Sequence, residues 1–77
     1  MPFIHIRAYS GRDKETQLKA AQAVADAASE AMGAPKEAFT VIYEEFERDE
    51  WQEKVYDKEV TPREDKILIL RGEVVKK

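Results

Sequence analysis

The chain opens on an alternating stretch. From Phe3 to Tyr9, Ile4, Ile6 and Ala8 fall on one side and Phe3, His5, Arg7 and Tyr9 on the other. A period of two with one apolar side predicts a half-buried strand. Ser10-Gly11-Arg12-Asp13 then breaks the pattern, and Asp13 is placed to cap a helix. From Lys14 to Met32 the period changes. Leu18, Ala21, Val24 or Ala25, Ala28 and Met32 recur at spacings of three and four, which predicts a long amphipathic helix. Its alanine-rich stripe permits close approach to a sheet. Gly33 suits the position just past the helix end, and Pro35 prevents continuation. Phe39 to Glu44 is β-branched and aromatic, the composition of a second strand.

Strand, helix and strand of these lengths predict an α/β (α+β) fold: a right-handed βαβ unit with two parallel strands and one long helix. Two strands alone make a poor sheet. Pairing with a second copy gives four strands and two helices, so a homodimer is expected, with a hexamer as the alternative. A hexamer would bury the outer sheet face, which carries His5, Arg7 and Thr40. Unpaired polar groups are costly to bury, and this favours the dimer.

The last third is less regular. Asp49 to Tyr56 reads as a short helix with Trp51, Val55 and Tyr56 on one side. Thr61-Pro62-Arg63-Glu64 has the form of a capping box with proline at the first helical position. Ile67 to Leu70, before Arg71-Gly72, reads equally well as a strand. The acidic run Glu44 to Glu50 reads as a solvated turn without the spacing of a metal site.

Size and charge narrow the class. The chain has 77 residues, 13 basic and 16 acidic, for a formal charge of −3. Residues 1–77 are expected to form one domain, marginal without help because so short a chain buries too little surface. It has no cysteine to staple it. Mild acidity argues against nucleic acid, since a phosphate backbone rewards clustered cations. No apolar run is long enough for a signal peptide or a membrane span, and a cytoplasmic location is expected.

The candidate chemistry begins at Pro2. Initiator methionine is generally removed when a small residue follows. Removal would leave Pro2 as a secondary amine at the head of a strand. An α-amino group has a reference pKa of about 8, and burial or a nearby cation lowers it toward the value a general base needs. Arg12 precedes the helix start, where the dipole favours anions rather than cations, so its placement there hints at a functional role. Its planar fork suits a carboxylate. Trp51 supplies an aromatic wall or a packing anchor. His5, on the more polar strand face, reads as a surface or interface histidine.

A leading proline, a short apolar strand, Gly11-Arg12, a helix ending near Gly33-Ala34-Pro35, the strand Phe39–Glu45 and an aromatic at Trp51 follow in order over residues 2–51. In this the chain resembles the tautomerase superfamily, typified by 4-oxalocrotonate tautomerase. Trp51-Gln52 and the long C-terminal third are similar to its longer, dimeric, phenylpyruvate-type bacterial branch. The resemblance implies a tautomerase fold and a cofactor-free, metal-free keto–enol isomerase. Pro2 would be the acid–base catalyst. Arg12 would hold the carboxylate of a small substrate, in reach across a subunit boundary, and Trp51 would wall the pocket. Two positions depart from the family pattern. Thr40 stands where hexameric members place a second arginine, which favours a monocarboxylate, with Arg7 or Arg71 as substitutes. Ala38 stands where decarboxylase and dehalogenase branches place an acid. The alternatives are a non-catalytic dimeric module binding carboxylates or protein, and proline-based decarboxylation or dehalogenation.

Overall fold

The computed structural model describes residues 1–76. They divide into two compact units, Met1–Phe46 and Glu47 onward. In the first unit, β1 (Phe3–Tyr9) leads through α1 (Lys14–Met32) and one 3₁₀ turn (Lys36–Ala38) to β2 (Thr40–Phe46). The strands are parallel and in continuous register, from Phe3 opposite Thr40 to Tyr9 opposite Phe46. The βαβ unit expected from the hydrophobic periods is therefore the fold of this half.

Local chemistry sets its limits. Asp13 is extended (φ −75°, ψ 170°) and its carboxylate accepts the Thr16 N–H at 2.8 Å, capping α1. Gly33 ends the helix in the left-handed region at φ 70°, with its N–H on the Ser29 carbonyl. A residue with a β-carbon is disfavoured there, which is why glycine terminates the helix.

One face of the sheet, Ile4, Ile6, Ala8, Val41 and Tyr43, is half-buried, as is the α1 face made by Ala20, Ala21, Val24, Ala25 and Ala28. α1 packs on β2. Two apolar helix positions fall outside this layer. Leu18 is 59% and Met32 62% exposed, although the periodic stripe included both. The reason is length: nineteen helical residues span about 28 Å, whereas a seven-residue strand spans about 23 Å. A two-stranded sheet cannot cover both ends of this helix. No residue of the first unit is fully buried.

The second unit begins with α2 (Arg48–Trp51), continues as a π-helix (Gln52–Val60), tightens into 3₁₀ turns (Thr61–Lys66) and ends in a hairpin of β3 (Ile69–Leu70) and β4 (Glu73–Val74). Two readings change here and one open choice is resolved. The acidic run is not a turn: Glu44 to Phe46 complete β2, and Glu47 and Glu50 form a reciprocal capping box that starts α2. Thr61 forms no capping box, because its backbone is itself helical (φ −57°, ψ −46°) and cannot adopt the extended cap conformation. The choice between helix and strand near residues 61–70 resolves by position: the proline-led segment is 3₁₀ and Ile69–Leu70 is strand. Arg71 and Gly72, at φ 51° and 83°, make the two-residue turn. Val55, 3% exposed, is the only fully buried residue among those described.

The Asp13 cap carries a pH dependence. The hydrogen bonds from Thr16 hold the Asp13 carboxyl below its ordinary value. A carboxyl depressed in the folded state stabilises it above the unfolded value, and that contribution fades as acid protonates it. Asp13→Ala is expected to lower the urea midpoint at neutral pH, with the gap from wild type closing in acid. Gly33→Ala is expected to cost about 1 kcal/mol at every pH, from left-handed strain. Urea titrations monitored by circular dichroism measure both.

Candidate active site

Pro2 is half-buried just ahead of β1, and its carbonyl accepts the Thr40 N–H at 3.2 Å. That bond ties the head of β1 to the head of β2. Met1, ahead of it, is fully exposed. While Met1 is attached, the Pro2 nitrogen is an amide; only its release produces the amine.

Arg12 lies past the other end of β1. The Ser10 N–H reaches the Phe46 carbonyl at 2.9 Å, which extends the strand pairing by one bond. Gly11 then turns the chain at φ 128°, a region that disfavours side chains. Three contacts fix Arg12 beyond the turn. Its N–H donates to Glu45 Oε2 at 3.1 Å, its carbonyl accepts from Gln17 Nε2 at 2.9 Å, and Nη1 donates to the Tyr9 carbonyl at 3.4 Å. The backbone is thus held twice and the guanidinium once, by a long bond. Four of its five donors have no partner among the described residues, and the side chain is exposed. An anchored backbone carrying an open, fixed-charge fork is suited to a carboxylate.

Within one chain, Pro2 and Arg12 stand at opposite ends of β1, about 23 Å apart. An arginine side chain spans a fraction of that, so one chain does not bring the amine and the guanidinium together. Trp51 closes α2 in the second unit and is half-buried. Glu50, one residue earlier, is held below its ordinary value by Lys54, whose ammonium lies 2.5 Å away and is itself raised by that carboxylate. A hollow of about 190 Å³ within the second unit is lined by Tyr56, Val60, Glu64, Ile67, Leu70 and Val75. None of Pro2, Arg12 or Trp51 lines it.

Sequence reasoning missed one cluster. On the outer face of the sheet, His5 Nε2 lies 2.8 Å from Glu44 Oε1, and Arg7 Nε lies 3.6 Å from the same oxygen. The face of β1 was legible from alternation; the identity of its partners on β2 was not. The sequence pattern puts Glu44 both at the end of the second strand and at the start of an acidic run read as a solvated turn; the register sets it in the strand beside Arg7.

Residues 2–63 match the family described as tautomerase enzymes. The chain belongs to the tautomerase family. TomN, a 4-oxalocrotonate tautomerase homologue in the tomaymycin biosynthetic pathway, is similar in structure with a TM-score of 0.63 and 34% identity, over 65% of this chain and 77% of that one. The apo form of an unfused 4-OT shares the fold, with a TM-score of 0.61 and 22% identity over 64% of this chain and 80% of that one. A search of curated proteins returned no match.

The turn that positions Arg12 depends on Gly11. Gly11→Ala is expected to destabilise the chain by about 1 kcal/mol or more, because its φ is unfavourable for a residue with a β-carbon. A thermal melt of variant against wild type measures this.

Proposed function

We propose that this chain is a cofactor-free keto–enol tautomerase of a small 2-oxo or 2-hydroxy-alkenoic monocarboxylate, with Pro2 as its acid–base catalyst. The observation that carries this reading is the family match beginning at Pro2, joined to an Arg12 guanidinium left open for an anion.

The chemistry needs one proton moved and none consumed. In ketonisation the neutral Pro2 nitrogen takes the hydroxyl proton from C2 of the enol. The O–H electron pair becomes the C2=O π bond, and the C2=C3 pair takes a proton at C3. Pro2 returns that proton and ends as it began. The amine must be neutral to start, so dry surroundings and a nearby cation both help. Arg12 supplies that cation while binding the substrate carboxylate. Since one chain holds the two about a strand-length apart, Arg12 acts on the Pro2 of a second copy. The homodimer is therefore part of the proposed site. Trp51 is proposed as the apolar wall. Residues 1–77 are proposed to work as one domain in the cell interior; among the described residues no helix is long and apolar enough to cross a membrane.

The departures at Thr40 and Ala38 shape specificity. Thr40 offers a backbone bond to Pro2 and no guanidinium, so a second carboxylate has no clamp from this position. Arg7 is engaged with Glu44 and does not replace it. Ala38 offers no carboxylate to activate water, and Glu37 beside it is exposed, so hydrolytic variants of proline chemistry rank lower.

Assay on an enolpyruvate-type substrate tests the reading. Pro2→Ala is expected to lower kcat/KM by about a hundredfold or more. Arg12→Ala is expected to raise KM by about ten- to a hundredfold through loss of a charge-assisted bond. The rate should rise with pH along a single limb as the amine loses its proton, then level. Equal turnover by Pro2→Ala and wild type overturns the mechanism. An intact mass retaining Met1 on protein from its native host does so too, and favours a carboxylate-binding module without catalysis.

A further inference from the structure

The second unit holds a hollow that the proposed chemistry leaves unused. It measures about 190 Å³ and is lined by Tyr56, Val60, Glu64, Ile67, Leu70 and Val75. Its walls are therefore mainly aliphatic, with one aromatic ring and one carboxylate. Tyr56, Val60, Ile67 and Val75 are half-buried, whereas Glu64 and Leu70 are exposed and stand at its mouth. The π-helix supplies Tyr56 and Val60, the 3₁₀ turns supply Glu64, and the hairpin strand β3 supplies Leu70. Val55, next to Tyr56 and fully buried, seats the helical wall.

Two of the lining groups have no partner. Among the described residues, neither the Glu64 carboxylate nor the Tyr56 hydroxyl takes part in a hydrogen bond or ion pair. Arg63, beside Glu64 in the chain, is engaged instead with Glu59 at 3.5 Å. An apolar recess with a few convergent polar groups is the form of a small-molecule site. The helical wall is itself uncommon, since π-helices are rare and gather at functional sites. Here the Thr61 N–H reaches back five residues to the Tyr56 carbonyl, and Gln52 Nε2 donates to Asp57 Oδ1 at 2.7 Å across the same spacing of five. In an α-helix side chains five apart diverge by about 140°. The Gln52–Asp57 bond thus belongs to the π form and holds the wall in it.

From this we infer that the hollow is a binding site for a small arylalkyl ammonium ion, its ring in the recess and its cationic head at Glu64 and Tyr56. Size and charge select that class. A cavity of about 150 Å³ with apolar walls admits a benzene-sized guest, so this one takes a single ring with a short arm. The unpaired carboxylate attracts a cation and repels an anion. The Tyr56 hydroxyl accepts one ammonium N–H. The carboxylate substrate proposed for Pro2 and Arg12 is thereby turned away, and the two sites take ligands of opposite charge. Every lining residue belongs to the second unit, so the inference does not rest on the catalytic reading.

The test is a titration of the full chain at neutral pH, followed by two-dimensional amide NMR. The probes are benzylammonium, benzyl alcohol and phenylacetate, alike in size and different in charge. Benzylammonium is expected to give saturable shifts at Tyr56, Val60, Ile67 and Val75 and to bind there about fivefold more tightly than benzyl alcohol. Phenylacetate is expected to leave those residues unmoved. Glu64→Gln, an exposed substitution whose fold is checked by far-UV circular dichroism, should lose the preference for the cation and keep its affinity for the alcohol. Glu64→Lys should transfer the preference to phenylacetate. The absence of saturable shifts at the lining residues with benzylammonium overturns the site. Equal affinity for the alcohol and the ammonium, or equal ammonium binding by wild type and Glu64→Gln, overturns the ligand class. Pro2→Ala should bind benzylammonium as wild type does, which separates failure of this inference from failure of the catalytic one.

Discussion

Everything in the first half of the chain depends on the parallel ladder between β1 and β2. It runs unbroken from Phe3 opposite Thr40 to Tyr9 opposite Phe46, and bonds at Pro2 and Ser10 extend it at either end. A parallel ladder puts the starts of both strands at one end and their finishes at the other. Pro2 and Thr40 therefore share one end of the sheet, and Arg12 and Glu45 the other. A slip of one residue would exchange inner and outer faces along the whole strand. The half-buried layer and the charged outer cluster are two consequences of one register.

The same ladder limits what one chain can cover by itself. A strand long enough to support α1 is too long for the two ends of one chain to form a single site. Two strands are also too few to bury the helix they carry, and Leu18 and Met32 stay exposed. In the proposed enzyme the approach of another copy would remedy both the thin packing and the divided candidate site. In the proposed enzyme, stability and chemistry would then be linked, since the contact that covers apolar surface also delivers the guanidinium to the amine.

Much of this was readable from local signals. The alternation of residues 3–9, the Asp13 cap, the stripe of α1 and the Gly33 stop each rest on interactions within a few residues, and each appears where the pattern put it, except that Leu18 and Met32 at the ends of the stripe stay exposed. The ordered set running from Pro2 to Trp51 was enough to indicate the tautomerase family, which the match over residues 2–63 bears out. The C-terminal third was poorly legible because its backbone follows no single period. It passes from α to π to 3₁₀ within nineteen residues, so no one hydrophobic spacing applies. The Thr61 box failed for that reason: a cap motif needs a helix beginning, and here a helix was already under way.

In the first unit the sequence by itself determined which segments become strand and helix and where they stop, because those follow from backbone preference and neighbours close in the chain. Only the tertiary structure decided which distant groups meet. Glu44 stands 39 residues from His5, and nothing local indicates that they bond. That pairing is set by how two strands align, which depends on the sum of contacts along both rather than on any residue in either.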